Sequence, residues 1–462
     1  MNDTVLDVVV IGGGITGLAA AFELQRRGVT VQLVEAAPRV GGVVRTERTD
    51  GWVIDAGPDA LLAHKPAAVE LCRELGLSDR LVSTRLPRTA YVLRDGRLCP
   101  LAEGSFLGFP LSVGALARSP LFTWAGKIRL ACEVAVPRGD SEDESIASFV
   151  RRRFGREACE YLAEPLLAGI HAGDAERLSM RALFPRLFEA ERQAGSVLRS
   201  LRALRAAPSP GGAFVSLPGG TGELVDALSA ALGPATVQLS SRVTNLERDG
   251  GFTIATEAGP LQARAVVLTI PAHAAGALLR GFDTTLPGLC ESIPYASTAT
   301  VALGYRRDQI GHPLNGSGFV VPRVEGGALL AATWVTSKWP GRAPDGYALL
   351  RGFLGGGRDP HRLERSDREL VDAARAALTA VLHIGGEPVL TRLYRFPRQS
   401  PQYEVGHLQR VAAIERRVAA VPGLFVAGSG FHAIGIPDCI ADGRQTAARA
   451  AAYVATKSTK TR

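Results

Sequence analysis

Residues 8–35 read VVVIGGGITGLAAAFELQRRGVTVQLVE, and the fold turns on them. Val5–Ile11 is an apolar run broken only by Asp7, as expected of a strand covered on both faces. Thr16–Arg27 has helical spacing, with Leu18, Ala21 and Phe22 on one face, and Gly28 stops it. Val29–Val34 is a second buried strand that ends at Glu35. Between the first strand and the helix, Gly12, Gly14 and Gly17 form G-x-G-x-x-G. The first glycine permits a tight turn, the second lets backbone approach a pyrophosphate, and the third lets helix and strand pack closely. The helix start offers N–H donors and a positive dipole end to phosphates. Glu35 can accept both ribose hydroxyls and would repel a 2′-phosphate. The stretch is therefore read as a βαβ unit holding a nucleotide.

The next residues choose between NAD and FAD. EAAPRVGGVVRTERTDGWVIDAGPDALL (35–62) puts Arg39, Gly41 and Gly42 just after the ribose acid, and Arg45 follows. A second glycine pair allows another close approach to the same phosphates, and an arginine adds charge. An NAD dehydrogenase has no evident need for this second cradle. Gly57 and Pro58 leave backbone uncovered, so GPD (57–59) can lie against a flat ring. Near the other end, GIPDCIADG (435–443) offers a second helix start with Asp438 as its cap. A helix N-terminus aimed at the N1–C2=O side of a flavin would stabilise charge on the reduced ring.

Composition sets outer bounds. A chain of 462 residues is long for one core, so two or three domains are expected. The formal charge is +8, and Lys occurs only at 65, 127, 338, 457 and 460. The excess is spread along the chain rather than clustered, which argues against nucleic acid. A general Arg preference and an anionic small ligand explain it equally well. Six Cys, at 72, 99, 132, 159, 290 and 439, show no metal-ligand spacing and suit reduced thiols in a cytosol. No secretory signal or membrane-spanning run is expected. H-E-x-x-H, G-x-S-x-G and Cys/His clusters do not occur, so neither a metal nor a protein nucleophile is expected.

Farther along, residues 60–205 are rich in helix and Arg. PRGDSEDES (137–145) is a polar joint in which Ser141 and Glu144 offer a capping box. RAAPSPGGA (205–213) is a second joint. From 213 a helix, GGTGELVDALSAAL, is followed by short alternating strands, one long helix covers roughly 366–382, and a closing strand, glycine-rich turn and helix return to the first unit. The segment 106–139 is amphipathic. It could rest on a membrane face, but packing on a core or lining a channel is the preferred reading.

GGGITGLAAAFEL, VEAAPRVGG and DAGPDALL together resemble the monoamine-oxidase-like FAD superfamily. EPLLAGIHAGDAERLSMRALFPRLFEAE (164–191), SLPGGTGELVDAL (216–228), SPQYEVGHLQRV (400–411) and GLFVAGSGFHAIGIPDCIADGRQ (423–445) resemble, within it, the oxygen-dependent porphyrinogen oxidases. The resemblance covers nearly the whole chain. It implies FAD contacts at Gly12, Gly14, Ile15, Thr16, Gly17, Glu35, Ala36, Arg39, Gly41, Gly42, Arg45, Gly57, Pro58, Val243, Gly428, Ile434, Gly435 and Ile436. It places Leu166, Leu167, Gly169 and Ile170 on the wall of the substrate pocket and Arg88 at its rim. Two departures stand in the C-terminal turn, where His432 and Ala433 replace the family's acidic residue or Lys and its Gly. His171, His407 and His432 are read as satisfied structural histidines, and Lys338 as a surface residue or propionate contact rather than a catalytic group.

The implied architecture is α/β. A discontinuous Rossmann-like FAD-binding domain (1–85, 210–272 and 421–462) would carry a helical insertion (86–209) lining the substrate channel and a mixed β-sheet substrate domain (273–420). The implied reaction is an FAD-dependent, O₂-dependent six-electron oxidation of a porphyrinogen to a porphyrin in haem biosynthesis, releasing hydrogen peroxide. The flavin carries the chemistry, and no protein residue is assigned as catalytic. TWVTSKWP (333–340) and EPLLAG favour coproporphyrinogen III, with protoporphyrinogen IX as the alternative. An amine oxidase, a carotenoid-type desaturase and a non-catalytic flavoprotein partner are more distant. VAGSG at 426–430 speaks against the amine oxidases, which usually carry FAGE there. The expected location is cytoplasmic. Weak peripheral contact at the inner membrane face and contact with the next haem-pathway enzyme are held open.

Overall fold

The computed structural model describes residues 5–203 and 212–458. The expected unit opens it: β1 (Leu6–Ile11), α1 (Ile15–Arg26) and β2 (Val31–Val34). β1 pairs in parallel with β2 on one side and with β3 (Gly259–Leu268) on the other, in register Val10 to Leu33 and Val267. Val237–Gln238 extends the sheet beyond β2, while Gly251–Thr256 and Val243–Asp249 extend it antiparallel beyond β3. α2 (His407–Ala419) leads into β4 (Leu424–Val426), which pairs in parallel with β3, and α3 (Ile436–Ser458) closes the chain. α1 and α3 cover one face, where Leu18, Leu24, Val10, Val267 and Ile440 share a core. Val9, Ile11, Val266 and Leu268 face the other side, as alternation along a doubly covered strand requires.

A second seven-stranded sheet runs in the order Leu390–Pro401, Tyr295–Arg306, Tyr347–Gly355, Leu329–Trp334, Gly318–Val320, Ala90–Arg94, Arg97–Pro100. The helix Asp367–Leu382 buries Leu370, Ala374, Leu378 and Leu382 against one face. Ser366 and Glu369 form its capping box. Short helices between 113 and 203 gather around Phe109, Phe149, Leu162 and Phe188. Within them, Cys159–Ala168 is a π-helix with Pro165 inside it, followed by one 3₁₀ turn at Gly169–His171.

Several expectations shift. Residues 90–100 form strands of the second sheet, because Gly318–Val320 gives Ala90–Val92 a parallel partner. Ala272–Leu279, Leu286–Glu291 and α2 pack on the nucleotide sheet, through Ala275, Leu279, Val411 and Ile414. The boundaries at 86 and 273–420 therefore divide packed units. Ser141 does not cap the following helix. Ser145 does, its hydroxyl accepting from Ser148 N, while Glu144 bonds the Ser148 hydroxyl. Asp438 lies inside the first turn of α3 rather than capping it.

Candidate cofactor and substrate site

The three glycines of the motif meet different surroundings. Gly12 has φ +109°, open to glycine and strained for other residues. A Cβ on Gly17 would stand 1.9 Å from the Gly12 carbonyl oxygen, so helix and turn touch only because that atom is missing. A Cβ on Gly14 would meet nothing within 4 Å. Gly14 is also the N-cap of α1, with no side-chain cap and no acidic residue in the first turn. The N–H groups of Ile15, Thr16 and Gly17 thus begin a helix whose end faces open space, a fit for a pyrophosphate.

The second glycine pair joins the same wall. Gly41 N donates to Gly13 O at 2.7 Å, and Gly14 and Gly41 form a parallel bridge. The nearest atom to a Cβ on Gly42 would be Gly14 Cα, at 3.4 Å. Arg39 donates to the carbonyls of Val40 and Gly42, at 3.0 and 2.7 Å. Burial, with the neighbouring Arg45 charge, lowers the Arg39 pKa against the opposing pull of Glu35. An anion at this wall would relieve both arginines. Arg45 lies over the Tyr394 ring at 5.4 Å.

Glu35 is fixed at the end of β2, its carboxylate accepting from Gly13 N at 2.6 Å and Ala37 N at 2.7 Å. Each oxygen keeps a lone pair for a hydroxyl. Ser240 and Ser241 donate to the carbonyls of Ala37 and Glu35, which brings the start of Val243–Asp249 alongside Ala36. Val243 thereby reaches the Glu35 end of the sheet.

Gly57 and Pro58 sit in a loop pinned to the second sheet. A Cβ on Gly57 would lie 2.0 Å from Val43 O. Thr300 donates to Ala56 O at 2.7 Å, and Arg351 donates to the carbonyls of Asp55 and Gly57. Asp59 ion-pairs with Lys338 at 2.9 Å and Arg351 at 3.4 Å, and accepts from Trp339 Nε1 at 3.1 Å. Burial alone would push the Asp59 pKa up, but Lys338 and Arg351 outweigh it and hold the carboxyl well below the usual range. Lys338 is therefore not a free surface residue: its half-buried side chain is paired with Asp59.

At the other edge, β4 runs into Gly428, with φ +106° and its N–H on Asp442 Oδ2 at 2.6 Å. A Cβ on Gly443 would stand 2.4 Å from Thr16 O, so α3 presses against the start of α1. Ile434 and Gly435 lead into Ile436, the first residue of α3. Asp438 pairs there with Lys65 at 2.6 Å, a contact across 373 residues that no local pattern announces.

The proposed pocket residues divide. Leu167 is fully buried in the helical core and presents no wall. Leu166 is half-buried, 2.6 Å from where a Cβ on Gly108 would be. Gly169 has only Glu164 O near its missing Cβ, and Ile170 is 65% exposed. His171 is not satisfied: its Nδ1 is buried without a partner, and burial together with Lys65 pushes the imidazole down to about 4. Its carbonyl accepts from Ser400 and Gln402, tying this turn to the second sheet. Arg88 bonds the Thr84 hydroxyl at 2.9 Å and lies against Gly212. His407 is buried, stacks on Tyr403 and donates to Phe431 O at 3.1 Å, but its Nδ1 has no partner.

The sequence profile described as "Flavin containing amine oxidoreductase" matches residues 15–451. The chain is 35% identical to the coproporphyrinogen III oxidase of Bacillus subtilis, over 98% of this chain and 100% of that one. It is 35% identical to the coproporphyrinogen III oxidase of Mycobacterium tuberculosis, covering 93% and 94%. It is 27% identical to the chloroplastic protoporphyrinogen oxidase of Nicotiana tabacum, covering 97% and 86%. Among solved structures, a putative protoporphyrinogen oxidase from Exiguobacterium superposes with TM-score 0.87 at 32% identity, covering 97% and 99%. A putrescine oxidase variant shares the fold at TM-score 0.72 and 18% identity.

Proposed function

Because the chain belongs to the family of flavin containing amine oxidoreductases, we propose that it oxidises coproporphyrinogen III to coproporphyrin III, with O₂ as terminal acceptor. It is an FAD-dependent oxidoreductase. Six electrons and six hydrogens leave the macrocycle in three two-electron rounds, and three hydrogen peroxide are released. The flavin supplies the two-electron acceptor when bound. Full-length likeness to coproporphyrinogen III oxidases carries the substrate choice.

The chain's own residues hold and shield. The uncapped start of α1, with Gly14, Gly41 and Gly42, takes the pyrophosphate; Arg39 and Arg45 add charge, and Glu35 takes the ribose. Gly57 and Pro58 offer a rigid backbone surface, because Arg351 and Asp59 clamp the loop to the second sheet. Leu166, Gly169 and Ile170 form the apolar side of the substrate space, and Arg88 meets a propionate at its rim.

Coproporphyrinogen III and protoporphyrinogen IX differ in propionate number, four against two, so the deciding experiment compares them side by side by porphyrin fluorescence. The expected result is a kcat/KM ratio well above one for the four-propionate substrate. A ratio near or below one overturns the assignment.

Peripheral membrane contact belongs to the same reading. Among the described residues no helix is long and apolar enough to cross a membrane. The contact is assigned to the helices at 113–131, whose outer side carries Val113, Trp124 and Ile128.

A further inference from the structure

The turn between β4 and α3 carries His432. Its Nε2 lies 3.1 Å from Glu415 Oε1 on α2, and its Nδ1 lies 3.5 Å from Asp442 Oδ1 on α3. The other oxygen of Asp442 accepts the Gly428 N–H at 2.6 Å. One imidazole thus joins two helices and, through Asp442, reaches the backbone of the turn. His432 N also bonds Gly428 O at 3.2 Å, closing the turn on itself.

The remaining fasteners of this turn are neutral. Tyr403 donates to Ser429 O at 2.9 Å, and His407 to Phe431 O at 3.1 Å. Burial raises the Tyr403 phenol above its ordinary value, pushes His407 down to about 4 and pushes the Cys439 thiol up to about 12. None of these changes charge between pH 6 and 9. Arg410 and Asp143 contribute fixed charges around His407, and Lys65 with Asp438 form a separate pair at the start of α3. His432 differs. Its bond to Asp442, and the charges of Asp442 and Glu415, raise its pKa in spite of partial burial.

We propose that His432 is a positioning residue: as an imidazolium bridging Glu415 and Asp442 it fixes the Gly428 turn against FAD, so cofactor retention depends on pH. The inference rests on the FAD reading of the Gly428–Ile436 segment. Below the raised pKa the cation holds both carboxylates. As pH rises through it, the proton leaves, Glu415 and Asp442 face each other across a neutral ring, and the grip on Gly428 weakens.

The test is FAD binding to the apoprotein between pH 6 and 9, followed by quenching of flavin fluorescence. Wild-type affinity is expected to fall roughly three- to tenfold over this range, the scale of one charge-assisted contact. His432→Gln should be flat at the weak value, and His432→Lys flat at the tight value. Glu415→Gln, on an exposed side chain, should move the wild-type midpoint to lower pH. If His432→Gln keeps the wild-type pH profile, or the Glu415→Gln midpoint stays put, the proposal is overturned and the FAD reading stands. If wild type binds no FAD at any pH, both fall.

Discussion

At the residue scale, the space beside each glycine decides what it does. Gly17 and Gly14 belong to one motif but meet opposite surroundings. A methyl group on Gly17 would drive into the Gly12 carbonyl, and neither backbone can give way without pulling α1 off β1. Gly17→Ala should destabilise the fold by about 1–3 kcal/mol, the usual range for overpacking, and also weaken FAD retention. Gly14 has φ −68° and open space at its Cβ, so alanine fits the unliganded chain. Gly14→Ala should leave the melting temperature of the apoprotein unchanged and lower FAD affinity by roughly tenfold, since the methyl group occupies the space for a phosphate. Thermal unfolding and fluorescence titration on the two variants separate these effects. An apoprotein melting point lowered equally in both would refute the division of labour. Asp59 behaves differently again, because its role comes from partners far away in sequence. Asp59→Asn would leave Lys338 and Arg351 buried without a counter-charge, a loss of about 3–5 kcal/mol. The Asp59 pKa is depressed in the folded state, so its contribution is present above the unfolded value, about 3.9, and is lost as pH falls below it. Wild type should therefore lose stability below about pH 4, where the gap between wild type and Asp59→Asn narrows; a constant gap from pH 7 to 3 would refute the linkage.

At the element scale, what the sequence made legible followed the range of the interaction. β1, α1 and β2 were readable because strand run, glycine turn and helical face lie within one short stretch, and each signal is local. The helix Asp367–Leu382 was readable for the same reason, its capping box and apolar face being adjacent. The strands at 90–100 were missed because their pairing comes from Gly318–Val320, more than two hundred residues away. Ser141 and Ser145 offer similar local caps, and the choice falls to Ser145 because Ile146 N and Met180 N bond the carbonyls of Leu178 and Glu144, setting where the helix begins. Asp438 had the composition of a cap but found Lys65 as its partner instead. The candidate site divides along the same line. Gly12, Gly14, Gly17 and Glu35 were legible from spacing, whereas the clamp of Asp59, Lys338, Trp339 and Arg351, and the link from His432 through Asp442 to Gly428, exist only once distant segments meet.

At the scale of the whole molecule, the amphipathic segment 106–139 turns out to be two-sided. Phe109, Leu116, Leu121, Phe122 and Leu130 fill the helical core, as the preferred reading of that segment expects. Val113, Trp124 and Ile128 do not: they are 73%, 70% and 63% exposed. Between residues 104 and 139 the one carboxylate, Glu133, is fully buried and paired with Arg153, while Arg118 and Arg138 are exposed and Lys127 sits over the Trp124 ring. Exposed apolar side chains with Arg118 and Lys127 beside them, and with Glu157 of a neighbouring helix tied to Thr123 N, suit an anionic bilayer surface better than an acidic protein face. Insertion of one Trp and one Ile into the interface is worth a few kcal/mol at about 25 cal/mol per Å² of buried apolar area, enough for reversible attachment and too little for permanent anchoring. Wild type should therefore co-sediment with phosphatidylglycerol-containing vesicles at low salt and detach at high salt, and bind pure phosphatidylcholine weakly. Trp124→Ser with Ile128→Ser should lower vesicle binding by roughly tenfold and leave turnover of a freely dissolved porphyrinogen unchanged. Equal binding of the double variant and wild type, or equal binding to both lipids, would remove the membrane assignment while leaving the oxidase reading intact.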